Sequence, residues 1–300
     1  MPGADDLGGA DCCRYDRAVT ETPARRGSGW DSTTNAAQYA AYTREFPMYA
    51  ETSRDLVRLA GLAPDAIVID LACGTGVTTR QILAALGPDG TVTGVDKSAA
   101  MLAIAARSVP DDRVSWINSL AEEFDRQVGE PVSAVICNSA IWQTEFARTA
   151  VAARSVLAAG GTFAFNIGVE FVRGAGRDPR SGDQRGEPDL LTAMRDIAAA
   201  DYGWRPPPSA SPAASHRYLS QDEIQQVLRD AGFTAVRAEW VDYQQPPGSL
   251  RAWLTVPVFT DRLLPGMAYE TRMAVLDKAY ERLGPVEAGA SRWLTVAAAS

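Results

Sequence analysis

Three hundred residues with 46% apolar and 22% charged content suffice for one sizeable core and are too ordinary for a disordered chain. A net charge of −8 argues against a face that tracks nucleic-acid phosphates, and no run nears the roughly 20 apolar residues of a bilayer span. Neither a nucleic-acid nor a membrane partner is expected, and oligomeric state is left open.

Among the 29 basic residues only Lys97 and Lys278 are lysines, which looks like codon bias rather than a phosphate-binding face. Cys12, Cys13, Cys73, Cys137 and the single His216 have no zinc-site spacing, so no metal is expected. The start MPGADDLGGADCC lacks the basic and apolar segments of a signal peptide. Reduced thiols in a cytoplasmic protein are the expectation.

Residues 1–29 are rich in Gly, Asp and Arg without periodicity and read as a flexible N-terminal tail. A helix is expected over 32–45, opened by Asp31-Ser32-Thr33, and another over 48–60, stopped by Gly61. Tyr39, Tyr42, Phe46 and Tyr49 recur at helical spacing, for which packing is the simpler explanation. Then AIVIDL (66–71), TVTGV (91–95), RVSWI (113–117), VSAVIC (132–137) and GTFAFNI (161–167) alternate with helix patterns near 77–86, 98–107 and 146–158. Continuous apolar strands separated by helices predict a parallel sheet covered on both faces. Irregular stretches at 173–189 and 205–214 bracket a short helix near 189–201. Ser220 and Glu223 cap a further helix that Gly232 ends. TAVRAEWVDY (234–243) and RWLTVAAA (292–299) read as strands, and the helical pattern over 249–285 is broken at Pro257 and Pro265. A single domain over 30–300 follows, with cap segments near 30–61, 170–217 and 249–285.

The informative stretch is VIDLACGTGVTTRQIL (68–83). A parallel sheet offers its ligand site at the carboxyl ends of its strands, where the loop after the first strand lies. Ala72, Gly74 and Gly76 let a ligand approach the backbone, and Asp96 closes the second strand 20 residues after Gly76, where an acid can accept from a ribose diol. A dinucleotide fingerprint would want a third glycine where Thr79 stands. Asp70 before the loop would repel a pyrophosphate but suits a ligand bearing an ammonium group. An amino acid joined to a nucleoside meets both conditions.

DLACGTG (70–76) with GVD (94–96), followed by VLAAGGTFAF (156–165), resembles the class I S-adenosylmethionine-dependent methyltransferases over about 62–167, 218–243 and 292–299. The resemblance implies a Rossmann-like, seven-stranded, mostly parallel α/β sheet with helices on both faces, an antiparallel last strand and helical cap insertions. It implies S-adenosyl-L-methionine as cofactor. Asp70 and the loop Ala72, Cys73, Gly74 and Gly76 would hold the methionine end with Asn138 and Tyr39. Asp96 would take the ribose, Lys97 and Met101 would flank the adenine, and Leu120 and Ala121 would contact it through backbone groups. Leu120 departs from the family pattern, which places an acid there; Asn118 is a possible substitute. Singly, Asp96 reads equally as a loop cap, Met101 as core and Asn138 as a turn residue.

A sulfonium already carries its leaving group, so alignment is the main demand and a general base serves only an acceptor that must lose a proton. His216 and Glu170 are candidates for that base, each equally readable as an exposed loop residue. Trp142 and Trp204 are expected to line an acceptor pocket for a partly apolar small molecule. The function expected is SN2 methyl transfer to a small-molecule acceptor of the specialised-metabolite kind. The alternative keeps the cofactor but cyclises its own aminobutyl chain to azetidine-2-carboxylate, releasing methylthioadenosine. A nicotinamide enzyme on a related sheet is disfavoured by Thr79 and Asp70.

Overall fold

The computed structural model describes residues 29–175, 190–206, 218–284 and 289–300. Residues 1–28 of the expected tail, and His216, lie outside the described residues.

Two helices, α1 (Thr33–Glu45) and α2 (Met48–Ala60), precede the alternation β1 (Ile67–Leu71), α3 (Val77–Ala85), β2 (Thr91–Asp96), α4 (Ala99–Ser108), β3 (Val114–Asn118), β4 (Val132–Cys137), α5 (Phe146–Val156) and β5 (Leu157–Gly168). Then come α6 (Leu190–Tyr202), α7 (Gln221–Asp230), β6 (Ala235–Gln244), α8 (Ser249–Thr255), α9 (Pro257–Leu263), α10 (Tyr269–Leu283) and β7 (Ala290–Ala299). The strands form one sheet in the order β3-β2-β1-β4-β5-β7-β6. Only β7 runs antiparallel, between β5 and β6.

Successive strand residues point to opposite faces, and both faces are covered. Ile69, Leu71, Val135, Cys137, Phe163 and Phe165 meet Ala150, Ala153, Ile224 and Leu228 of α5 and α7. Val68, Ala134, Ile136 and Ala164 meet Leu56, Val57 and Ile82 of α2 and α3. This is why β1 and β4 are apolar without alternation. Truncating a buried Ile or Leu at such a position costs about 2–5 kcal/mol.

Helix boundaries follow their caps. Ser98 accepts from the Met101 N–H at α4, and Ser220 and Glu223 form a reciprocal capping box at α7. Pro257 sits in the first turn of α9, where its missing N–H costs nothing. One strand departs from expectation: β5 begins at Leu157, before the two glycines. Its pairing with β4 jumps from Val132–Leu157 to Ala134–Thr162, so Gly160 and Gly161 form a bulge inside the strand. Gly160 adopts φ 77°, and a Cβ on Gly161 would press on the Ala158 and Ser133 carbonyl oxygens at 3.0 Å.

The added helices gather over the carboxyl edge. The Asn35 carboxamide of α1 accepts from the Val258 N–H of α9 at 3.0 Å and donates to the Gly29 carbonyl. Behind α9, buried Arg272 donates to Asp261, and α6 and α10 share an apolar cluster with Leu254, Leu263 and Leu264.

Candidate active site at the carboxyl edge of the sheet

The strand order reverses between β1 and β4, which places a crevice beyond their carboxyl ends. Asp70 stands at that point with 1% of its surface exposed. Its Oδ2 accepts the Thr79 hydroxyl at 2.6 Å, while its Oδ1 is buried without a hydrogen-bond partner among the described residues. Burial pushes its carboxyl up to about 7, against the Thr79 bonds. A buried carboxylate with one unused oxygen is costly unless something polar or cationic meets it.

The loop after β1 is shaped by backbone conformation. Ala72 and Ser139, just beyond β1 and β4, are the two non-glycine residues with positive φ (55° and 59°) among the described residues. Left-handed geometry at an L-residue costs roughly 1–2 kcal/mol and concentrates at functional sites. Gly74, at φ 55°, donates its N–H to Asp96 Oδ2 at 2.9 Å, and Ser98 N–H donates to Oδ1 at 2.8 Å. Burial raises the Asp96 pKa, opposed by those two backbone donors. Both carboxylate oxygens keep a further lone pair for a ligand.

Above the loop lies an aromatic roof. A Cβ on Gly74 would sit 3.7 Å from Tyr39, so α1 lays that ring over the loop. Burial, then Tyr49, Tyr42 and the Asp96 and Asp70 carboxylates, hold the Tyr39 phenol well above its ordinary pKa. The Tyr49 ring lies 5.5 Å from Tyr39, and its hydroxyl accepts from Trp253 Nε1 at 3.3 Å. Trp30 packs edge-on to Tyr39 and Phe259, donates to Gln143 Oε1 at 3.0 Å, and accepts the Ser98 hydroxyl on its carbonyl.

Beyond Tyr49 the cleft has charged walls. Glu170 lies on the turn after β5, reachable by solvent, yet desolvation by surrounding protein raises its pKa. Arg262 of α9 has the same double character, its pKa lowered by burial and raised by Tyr218 and Tyr49. A side chain that is accessible but deep in protein mass lines a concavity. The Arg262 guanidinium lies 4.7 Å over the Trp142 ring, which stacks on Phe171 at 3.8 Å.

Residues 68–161 match a methyltransferase domain family. A trans-aconitate 2-methyltransferase of Paracidovorax citrulli is 26% identical over 262 residues, 85% of this chain and 93% of that protein. One from Azoarcus sp. is 28% identical over 223 residues, 71% and 78% of the two chains. One from Deinococcus radiodurans is 47% identical, but over only 76 residues, so the match spans 24% of this chain and 29% of that protein. The fold matches a protein of Bacillus halodurans assigned to the methyltransferases, with TM-score 0.51 at 16% identity over 83% and 98% of the two chains. It also matches the complex of the Haloferax volcanii Trm112 methyltransferase activator and its methyltransferase, with TM-score 0.51 at 16% identity over 90% and 97%. Residues 68–161 thus form a methyltransferase domain, and the sheet around it has the Rossmann-like fold of the S-adenosylmethionine-dependent methyltransferases.

Within this methyltransferase the structure brings together Tyr39, Asp70, Ala72, Gly74 and Asp96 around one loop, with exposed Lys97 beside it. Cys73 belongs to the loop through its backbone, its N–H donating to Val95 O at 2.9 Å; its buried thiol packs under Gly94. Leu120, 47% exposed, and Ala121 follow β3 at the same edge.

Four of the expected residues have their side chains engaged with protein. Gly76 faces protein: a Cβ there would meet Val109 at 3.0 Å and Ala105 at 3.5 Å, so it serves helix packing. Met101 is buried, 3% exposed, with its side chain packed inside the protein. Trp204 donates to the Pro265 carbonyl and packs with the α6 and α10 cluster, away from the crevice. Asn138 spends both amide hydrogens on Tyr49 O and Ser53 Oγ and accepts from Asn166 Nδ2 at 2.8 Å, so it positions β4, β5 and α2. Asn118 likewise donates to the Asp96 carbonyl.

Sequence reasoning missed Thr79, Tyr49, Ser139 and Arg262. Thr79 had a readable signal, since a hydroxyl in the first turn of the helix after the loop can reach back to the acid at the end of the strand. Arg262 had none: only α9 packing on α1 carries it to the crevice.

Proposed function

We propose that this enzyme binds S-adenosylmethionine with its ammonium group toward Asp70 and its ribose hydroxyls on Asp96, and methylates a small carboxylic acid. The observation that carries this reading is the unpartnered, fully buried Oδ1 of Asp70 at the switch point. An ammonium group would neutralise Asp70 and fill that vacant acceptor, which no phosphate could do. Gly74 supports it, because its lack of a Cβ keeps the space between loop and Tyr39 open.

The cofactor supplies a methyl group on a sulfonium with a good leaving group. The chain's own residues then have three tasks: to hold the cofactor, to exclude water and to aim the acceptor. Thr79 keeps Asp70 oriented through its 2.6 Å bond. Gly74 and Ser98 N–H groups fix the Asp96 carboxylate so that its remaining lone pairs face outward. Tyr39 and Tyr49 roof the crevice, and their electron-rich faces suit a sulfonium.

The curated relatives named trans-aconitate 2-methyltransferases support a carboxylate acceptor. A carboxylate oxygen is already a nucleophile at neutral pH, so no general base is required. Incubation with methyl-labelled cofactor and a panel of di- and tricarboxylic acids, trans-aconitate included, tests the reading by mass spectrometry. A labelled monoester is expected; intact acids across the panel, with cofactor binding verified, would refute it.

A further inference from the structure

We infer that Arg262 is the specificity-determining anchor for a second carboxylate on the acceptor, one that is held and not methylated. The inference rests on the reading of this crevice as an acceptor site for a carboxylic acid.

Among the described residues, Arg262 has no ion-pair partner. Its recorded contacts are a 3.1 Å hydrogen bond from Nη2 to Gln143 Oε1 and its stacking over Trp142. Gln143 Oε1 is already shared with Trp30 Nε1. A guanidinium has five donors in a planar fork, and this one leaves most of them unspent. Two neighbouring cap arginines are neutralised within the chain, Arg272 by Asp261 and Arg251 by Asp277. Arg262 is accessible to solvent yet flanked by protein that lowers its pKa, without such compensation among the described residues.

The neighbours define where a ligand carboxylate would lie. Gln143 and Trp30 link Arg262 to the Tyr39 ring, and Tyr49 and Tyr218 interact electrostatically with both Arg262 and Glu170. Tyr49 continues to Tyr39 and thence to the loop bearing Gly74. An acid that offers one carboxylate toward the loop therefore has a second binding point at the guanidinium, one aromatic ring further out. A planar fork matches carboxylate geometry in two parallel bonds, which gives orientation as well as attraction. Glu170, an acid that shares those two tyrosine neighbours, disfavours a carboxylate placed beside it and so biases the acceptor toward Arg262. The class predicted is a compact acid with at least two carboxylates.

The test compares wild type with Arg262→Lys and Arg262→Gln, using a polycarboxylic acid that wild type methylates and the same acid with one carboxylate blocked as an amide. Arg262→Gln should raise KM for the acid about tenfold to a hundredfold, the range of lost charge-assisted hydrogen bonds. It should also erase the preference over the amide, and Arg262→Lys should restore part of that preference. S-adenosylhomocysteine affinity, read by calorimetry, should be the same in all three. Wild-type transfer to none of the acids overturns the underlying reading and this inference together. Wild-type transfer with the charge preference unchanged in Arg262→Gln overturns the assignment of Arg262 alone, as does a uniform loss of kcat and thermal stability that leaves the preference intact, because a structural latch on Trp142 and Gln143 would behave that way.

Discussion

Thr79 donates its hydroxyl to Asp70 Oδ2 at 2.6 Å, and the other carboxylate oxygen of Asp70 is buried without a partner. A residue in the place of a dinucleotide site's third glycine thus orients the acid that begins the loop. One oxygen of Asp70 is satisfied by the local helix, and the other is buried beside the loop without a partner among the described residues.

Asp70 should make the ligand-free protein less stable as pH rises. Its carboxyl is raised from 3.8 to about 7, mainly by burial. Between those values the folded state holds a proton that the unfolded chain has lost, so stability falls from about pH 4 to pH 7 and levels off above. The total is of the order of a few kcal/mol. Asp70→Asn should flatten that limb and melt higher than wild type near pH 8, with the difference shrinking toward pH 4. Thermal melts across this range, at constant ionic strength, read it directly.

Asp96→Ala should weaken cofactor binding by about tenfold or more, the loss of one or two charge-assisted bonds. It also strands the Gly74 and Ser98 N–H groups that now donate to the carboxylate. Asp96→Asn retains one carbonyl acceptor and should fall between the two in a titration with S-adenosylhomocysteine.

Gly74→Ala and Gly76→Ala should separate binding from folding. Both residues have positive φ, so each substitution carries backbone strain of about 1 kcal/mol or more. The Cβ at position 76 also meets Val109 at 3.0 Å, whereas the one at 74 enters the space below Tyr39, 3.7 Å away. Gly76→Ala should therefore lower the melting temperature more, and Gly74→Ala should lose more cofactor affinity. Paired melts and calorimetry would show the reversal of order.

Trp204→Ala should destabilise the α6 and α10 cluster by roughly 2–4 kcal/mol while leaving KM for the acceptor unchanged. Its ring and its bond to Pro265 O belong to that cluster. A raised KM with unchanged stability would return Trp204 to the acceptor site.

The sheet was legible because its buried strands are continuous apolar runs and its helices carry explicit caps at Ser32, Ser98 and Ser220. Asp70, Gly74 and Asp96 were legible because loop chemistry at a parallel strand end is local in sequence. The functions of Gly76 and Asn138 were not, since both depend on what packs beside them: α4 against Gly76, α2 and Asn166 around Asn138. The stripe Tyr39–Tyr49 was read as packing, and the structure shows packing and crevice lining at once, with Tyr42 and Phe46 stacked inside and Tyr39 over the loop. Arg262 is one basic residue among many, and only tertiary contacts distinguish it.

The central claim is that a positively charged amino-acid end seats against Asp70, and proton linkage tests it most directly. Near pH 6 the free protein holds Asp70 mostly protonated, and an ammonium group beside it would drive that proton off. Calorimetric titration with S-adenosylhomocysteine in two buffers of different ionisation enthalpy should show release of most of one proton in wild type and none in Asp70→Asn. Tight binding with no difference between buffers, or no binding heat at all, would contradict the account.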